Sequence, residues 1–161
     1  MSAPVPGGAD VRLATAADLP SLAPLWRRFY EDQRAQGMRA VVPENGFAEW
    51  EASIRPVLER FGVVVLGVRD SEPVGFVAGR VRSLPRHLGG VAAGLITEVW
   101  VEPVLRGHGL GAAMVEAAMA WFRGQGVRRL ELQVVVGNEA ARRLYARLGF
   151  AEELTQMVRE E

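Results

Sequence analysis

The chain has 161 residues, of which 49% are hydrophobic, so it can bury the core of one domain without disulfides or a structural metal. Its 19 basic and 19 acidic side chains cancel, which disfavours a protein that attracts nucleic acid or an anionic membrane through a strong overall field. No apolar run reaches the roughly 18 residues of a membrane-spanning helix. We therefore expect a soluble protein with no nucleic-acid or membrane partner.

Two residue types are absent from the chain, cysteine and lysine. Without cysteine there are no disulfides, no thiolate metal sites and no thiol that could carry an acyl group during catalysis. A reducing cytoplasm fits this composition, and no metal is expected. Every basic side chain is an arginine, whose forked donors suit phosphate and carboxylate groups.

The first ten residues predict a flexible tail. They contain Pro4, Pro6, Gly7 and Gly8, and they lack the basic and apolar regions of a secretory signal. We expect one domain over residues 11–161.

The first half of that domain predicts two helices and a hairpin. A short strand at 11–14 precedes a helix that includes residues 22–30, where apolar side chains recur at helical spacing. The same spacing predicts a second helix at 47–61. Apolar strands at 63–68 and 74–81 flank a turn-like segment, which indicates an antiparallel pair.

The second half predicts a strand, a helix and another strand in succession. The strand covers 95–101, the helix begins at Leu110, and alternating apolar residues mark the next strand at 130–136. A helix between two strands suggests that the strands are parallel. Asn138 can cap a last helix, after which we expect a closing strand at 150–158.

A glycine-rich turn lies between the strand and the helix of the second half. Gly107, Gly109 and Gly111 let the backbone approach a ligand closely. A helix that starts there offers free N–H groups and roughly half a positive charge to an anion, and Arg106 adds a full charge. The turn is therefore a candidate phosphate site.

The same glycines could also serve a different role. A tight strand-to-helix connection needs no ligand at all. The pattern Gly107-x-Gly109-x-x-Ala112, with Glu131 further on, formally matches a dinucleotide fingerprint, but too little chain follows for a second nucleotide-binding half. A nucleoside triphosphate loop needs a lysine, which this chain lacks.

The surrounding residues resemble the GNAT superfamily of N-acetyltransferases. The family signature of Arg or Gln, two residues, Gly, one residue, then Gly or Ala is met by Arg106, Gly109 and Gly111. Similar segments lie before it, at 96–103, and after it, at 138–150. The resemblance implies an α/β (α+β) domain with a mixed, mostly antiparallel central sheet, flanking helices and a splayed parallel strand pair.

The resemblance also implies an acetyl-CoA site. In the family, a bulged strand and its splayed neighbour hold the pantetheine arm of the cofactor, and free backbone groups on that strand can pair with amides and with the thioester oxygen. Asn138 matches a position that commonly contacts this arm. The expected cofactor-binding residues are Val99, Trp100, Val101, Arg106, Gly107, His108, Gly109, Leu110, Gly111 and Asn138.

Two residues are candidates for catalysis. Tyr145 matches the family tyrosine near the cofactor sulfur, and it is expected to donate a hydrogen bond to the departing thiolate, although it could equally be a core aromatic. Glu98 is the candidate general base, with solvent exposure or binding of a cationic substrate as alternatives. Gln133 stands where relatives that acetylate protein N-termini carry a glutamate, which leaves Glu98, Glu102 or a water chain to accept the proton.

The expected function is transfer of an acetyl group from acetyl-CoA to a primary amine of a small molecule, peptide or protein, by direct attack in a ternary complex. The alternative is an acyl-CoA-binding regulatory module without catalysis. The sequence does not identify the acceptor amine, and it leaves the assembly open between a monomer and a homodimer. Four residues could border the acceptor pocket, although helix packing or solvation also accounts for them: Trp26, Tyr30, Arg39 and Glu44.

Overall fold

The computed structural model describes residues 3–5 and 8–161, and its strands form one sheet. The strands are β1 Ala3–Val5, β2 Ala9–Leu13, β3 Gly62–Arg69, β4 Glu72–Ser83, β5 Ala92–Val101 and β6 Arg129–Leu132. The helices are α1 Ala23–Ala35, α2 Gly46–Ile54, α3 Leu110–Gly124 and α4 Glu139–Arg147. Within the described residues, no helix is both long enough and apolar enough to cross a membrane.

The sheet has the order β1-β2-β3-β4-β5-β6, so every strand lies beside its neighbour in the chain. The first five strands pair antiparallel, whereas β5 and β6 are parallel. Parallel strands need a crossover connection, and α3 supplies it. The predicted mixed, mostly antiparallel sheet with one parallel pair is confirmed.

Helices cover both faces of the sheet, and β3 shows the resulting alternation. Val63 and Val65 pack into the core beneath α3 and α4. Val64 and Leu66 point to the opposite face and pack beneath α1 and α2. Because both faces are covered, the middle strands read as continuous apolar runs.

The amino terminus differs from the predicted tail. Ala3–Val5 pairs with β2 in the register Ala3 to Val11 and Val5 to Ala9, so the sheet begins before residue 11. Pro4 is accommodated because β1 is an edge strand, which needs hydrogen bonds on one side only. Residues 1, 2, 6 and 7, also assigned to the tail, lie outside the described residues.

The carboxyl terminus also differs from the sequence prediction. Residues 150–161 form neither strand nor helix, so the predicted closing strand at 150–158 is wrong. Leu154 and Met157 are 90% and 92% exposed, because no neighbouring strand covers them. An alternating pattern predicts a strand only where a partner with free backbone groups is in reach.

Two further elements are shorter than predicted. Helix α2 ends at Ile54, and a 3-10 turn at Arg55–Val57 replaces the expected continuation to residue 61. Pro56 explains this difference, since it lacks the N–H that the next helical turn would need. Strand β6 ends at Leu132 rather than at residue 136, because its pairing with β5 stops there.

The packing of α3 against the sheet gives a direct test of the fold. Phe122 is fully buried in the core between α3 and the sheet, so Phe122→Ala should lower the free energy of unfolding by about 3–5 kcal/mol in a urea titration. Phe61→Ala is the control, because that ring is 51% exposed and should cost less than about 1 kcal/mol. Equal losses for the two variants would contradict this packing.

Candidate active site

The pairing between the parallel strands β5 and β6 stops halfway along β5. Their pairing ends at Ile96 and Leu132. On the other side of β5, Ala78 pairs with Glu98 and Gly79 with Ile96, which leaves Thr97 as an extra residue in a β-bulge. Bulge and separation therefore occur at the same place, and the predicted splayed pair is confirmed.

A cavity of about 420 Å³ lies where the strands separate. The glycine turn, the end of β5, the segment after β6, α4 and the carboxyl-terminal part of α1 all contribute to its walls. Nine of the predicted site residues line it: Val99, Trp100, Val101, Arg106, Gly107, Gly109, Gly111, Asn138 and Tyr145. The structure therefore brings most of the predicted cofactor-binding residues to one opening.

Three predicted site residues do not line this cavity, namely Glu98, His108 and Leu110. The side chain of Leu110 is buried in the core beneath α3, so only its backbone remains for a ligand. Glu98 points toward α1 and α2, on the opposite side of β5 from Val99. The predicted opposite orientation of these two side chains is therefore seen in the structure.

The backbone of the glycine turn opens toward the cavity. Gly107 and Gly109 have φ values of 81° and 88°, which side chains other than glycine adopt only with strain. Within the described residues, the N–H groups of Leu110, Gly111 and Ala112 have no backbone acceptor, whereas Ala113 N donates to Gly109 O at 3.0 Å. The start of α3 thus offers three free donors to an anion.

Arg106 is fixed beside this turn by two contacts. Its Nε donates to Val101 O at 2.9 Å, and its guanidinium lies 4.6 Å from the centre of the Trp100 ring. A cation over an indole face is attracted to it electrostatically. Both contacts hold the guanidinium at the end of β5, where its other N–H groups can meet a phosphate.

Asn138 caps a helix and also lines the cavity. Its Oδ1 accepts a hydrogen bond from Ala141 N at 3.1 Å, which caps α4. The residue also lines the cavity, and its side-chain NH2 donates to no other described residue. The capping contact orients the amide, so its NH2 group remains available to a ligand.

The hydroxyl of Tyr145 has no hydrogen-bond partner among the described residues, although the side chain is buried against Phe150 and lines the cavity. Burial raises the pKa of Tyr145 to about 12. With a thiol pKa near 8.5, full proton transfer to a thiolate would be uphill by about 5 kcal/mol. Tyr145 is therefore suited to donating a hydrogen bond and not to giving up its proton.

Glu98 is buried in a polar cluster on the other face of the sheet. Tyr30 Oη donates to its Oε1 at 2.8 Å, and Thr97 Oγ1 donates to its Oε2. Burial raises the pKa of Glu98, although these hydrogen bonds, the indole N–H of Trp50 and the charge of Arg80 favour the ionised form. The Trp50 Nε1 is itself buried and has no hydrogen-bond partner among the described residues.

Thr97 and Tyr30 connect this carboxylate to the surface. Thr97 lines the cavity between β5 and β6. Tyr30 lines a second, more open cavity of about 1000 Å³. Trp26, Arg39 and Glu44 border the same cavity, which therefore contains all four residues that the sequence analysis considered for an acceptor pocket. Sequence reasoning missed Thr97, because no residue pattern marks the position of the bulge.

Known proteins resemble this chain in sequence. The model of the acetyltransferase (GNAT) family matches residues 19–150. A mycothiol acetyltransferase of Amycolatopsis mediterranei is 30% identical over 128 residues, which are 79% of this chain and 37% of that protein. The chain thus spans little more than a third of the length of this curated relative.

Solved structures share the fold at low sequence identity. A predicted acetyltransferase from Clostridium acetobutylicum, solved with acetyl-CoA, has a TM-score of 0.77 at 17% identity, covering 94% of this chain and 96% of that one. The aminoglycoside N-acetyltransferase AAC(6')-Iy, in complex with CoA, has a TM-score of 0.75 at 16% identity, covering 98% of both chains. With the family match over most of its length, this chain belongs to the GNAT acetyltransferase family.

Proposed function

We propose that this protein transfers an acetyl group from acetyl-CoA to a primary amine. The observation that carries the proposal is the continuity of the cavity between β5 and β6, which joins the free N–H groups of α3 to Thr97 and Tyr145. An anion site and a reaction site are thereby connected by a channel that apolar and polar side chains line together, as a pantetheine arm with its two amides requires.

The cofactor would occupy this cavity from the glycine turn inward. The start of α3 and Arg106 bind the pyrophosphate. Beyond Ile96, the edge of β5 that faces β6 has no strand partner in the described part of the chain. Apart from Val101 O, which accepts from Arg106 Nε, the N–H and C=O groups on this edge are available to the pantetheine amides. Among Val99, Trp100 and Val101, a backbone N–H donates to the thioester oxygen as negative charge develops there.

The acceptor amine must lose a proton before it can attack, because an aliphatic amine has a pKa near 10.4. We propose Glu98 as the final proton acceptor, with Thr97 as the intermediary, since Thr97 alone among the described residues both lines the cavity and hydrogen-bonds to the carboxylate. The amine donates a proton to Thr97 Oγ1, which passes its own proton to Glu98 Oε2. The raised pKa of Glu98 helps it to hold that proton.

The amine nitrogen then attacks the thioester carbon in a ternary complex, and the carbon–sulfur bond breaks with its electron pair going to sulfur. The nitrogen releases its second proton to water as the amide forms. Tyr145 donates a hydrogen bond to the thiolate that leaves. Direct attack fits a chain without cysteine, since no thiol is present to carry the acetyl group. The acceptor is a primary amine of a small molecule, peptide or protein.

A non-catalytic acyl-CoA-binding module is the second candidate, and the observation in its favour is that Glu98 does not line the cavity. The two functions differ in a simple assay. An enzyme consumes acetyl-CoA when a panel of amines is added. A binding module binds acetyl-CoA to the same extent but does not consume it.

The glycine turn yields the first test of this function. Gly109→Ala should weaken acetyl-CoA binding by about tenfold or more, because the new methyl group strains a backbone with φ near 88° and occupies the open space where the pyrophosphate approaches. Isothermal titration calorimetry measures the effect. Gly124→Ala is the matched control, with an equally open site and no positive φ, and it should leave the affinity unchanged. Equal affinities for both variants would count against the phosphate turn.

Removal of the phenol tests the leaving-group step. Tyr145→Phe should lower kcat by about 10- to 100-fold while acetyl-CoA affinity stays nearly constant, because the ring packing survives and only the hydrogen bond to the thiolate is lost. Steady-state kinetics with a reactive amine, together with a binding titration, separate the two effects. Wild-type turnover in this variant would eliminate the assigned role.

The pH profile tests the proton path. A carboxylate with a raised pKa is ionised only above that pKa, so kcat/KM should rise with pH as Glu98 loses its proton. Glu98→Gln and Thr97→Val should both lower kcat/KM near neutrality and move the rise to alkaline pH, where the free amine is abundant.

Thr97→Ser is the control for this path, because it keeps the hydroxyl and should restore the wild-type profile. If Thr97→Val keeps the wild-type pH profile while Glu98→Gln shifts it, the carboxylate takes the proton by another route. If neither variant shifts it, Glu98 is not the base.

A further inference from the structure

The cavity between β5 and β6 carries more positive charge than the chain as a whole. Its lining includes three arginines, Arg106, Arg143 and Arg147, against one carboxylate, Asp32, whereas the 19 basic and 19 acidic residues of the chain cancel. Arg106 and the start of α3 already face the expected pyrophosphate. Two cationic side chains on α4 remain without an assigned ligand.

The contacts of the α4 arginines separate them into two groups. Arg142 does not line the cavity and forms an ion pair with Glu152. Arg143 lies 3.4 Å from Glu139, in a pair whose side chains are 65% and 77% exposed and which therefore contributes little. Arg147 has no ion-pair partner among the described residues. The two arginines that line the cavity are thus the ones available to another anion.

The spacing of these two arginines suits a single anionic group. Residues four apart on a helix lie on the same face, about 5–6 Å apart at Cβ. Ala140 lines the cavity one turn before Arg143, so this face of α4 forms part of the wall. Forked guanidinium groups at this spacing can hold one phosphate from two sides.

The charge of coenzyme A identifies the group that would bind there. Besides its pyrophosphate, the cofactor carries a phosphate monoester on the ribose, which has a charge of about −1.5 to −2 at neutral pH. We propose that Arg143 and Arg147 form a subsite for this 3′-phosphate, by which the protein distinguishes coenzyme A from dephospho-coenzyme A. This inference rests on the proposed use of acetyl-CoA.

Calorimetric titration with coenzyme A and with dephospho-coenzyme A tests the subsite. The wild-type protein should bind coenzyme A about tenfold more tightly, since two partly exposed charged contacts are involved. The double variant Arg143→Gln with Arg147→Gln should lose this preference while its Kd for dephospho-coenzyme A stays unchanged. Arg142→Gln is the matched control and should retain the preference. Higher ionic strength should reduce the preference in the wild type.

Two results would overturn the subsite alone: equal binding of both ligands by the wild type, or equal weakening of both in the double variant. Acetyl transfer would continue in either case. Binding of neither ligand to the wild-type protein would overturn the proposed function together with the subsite. The substituted side chains are exposed, so unchanged urea unfolding of the double variant verifies its fold.

Discussion

The extra residue in β5 is the constraint on which the rest of the site depends. Thr97 is paired with no residue in the register between β5 and β4, and at the same point β6 ceases to pair with β5. A bulge increases the local twist of its strand, which turns the remainder of β5 away from its parallel neighbour. The opening, the free edge of the strand and the orientation of Glu98 all follow from this one irregularity.

The same irregularity distributes the proposed chemistry over both faces of the sheet. Tyr145 reaches the cavity from α4, whereas Glu98 lies among the buried aromatic side chains beneath α1 and α2. Thr97 lies between them. A carboxylate sealed from water in this way has a raised pKa, and a phenol on the opposite face remains protonated. The raised pKa makes Glu98 a stronger base once it is ionised, and the raised pKa of Tyr145 keeps the phenol protonated so that it can donate a hydrogen bond.

Local patterns in the sequence predicted the features that short segments determine. The glycine turn, the cap at Asn138 and the apolar stripes of α1 and α3 depend on neighbouring residues, and the structure contains all of them. The position of the bulge depends on register across β4, and the burial of Glu98 depends on Tyr30, 68 residues away. Strand β1 and the unpaired segment at 150–158 likewise depend on which partner is in reach, which no local pattern specifies.

A crystal structure of the complex with acetyl-CoA would show directly whether the opening between β5 and β6 holds the cofactor. We expect the pyrophosphate to contact the backbone N–H groups at the start of α3. We also expect the pantetheine arm to lie between β5 and β6, with the thioester beside Thr97 and its sulfur within hydrogen-bond reach of the Tyr145 hydroxyl. A cofactor bound outside this opening, or a thioester remote from both side chains, would rule out the proposed acetyl-transfer site.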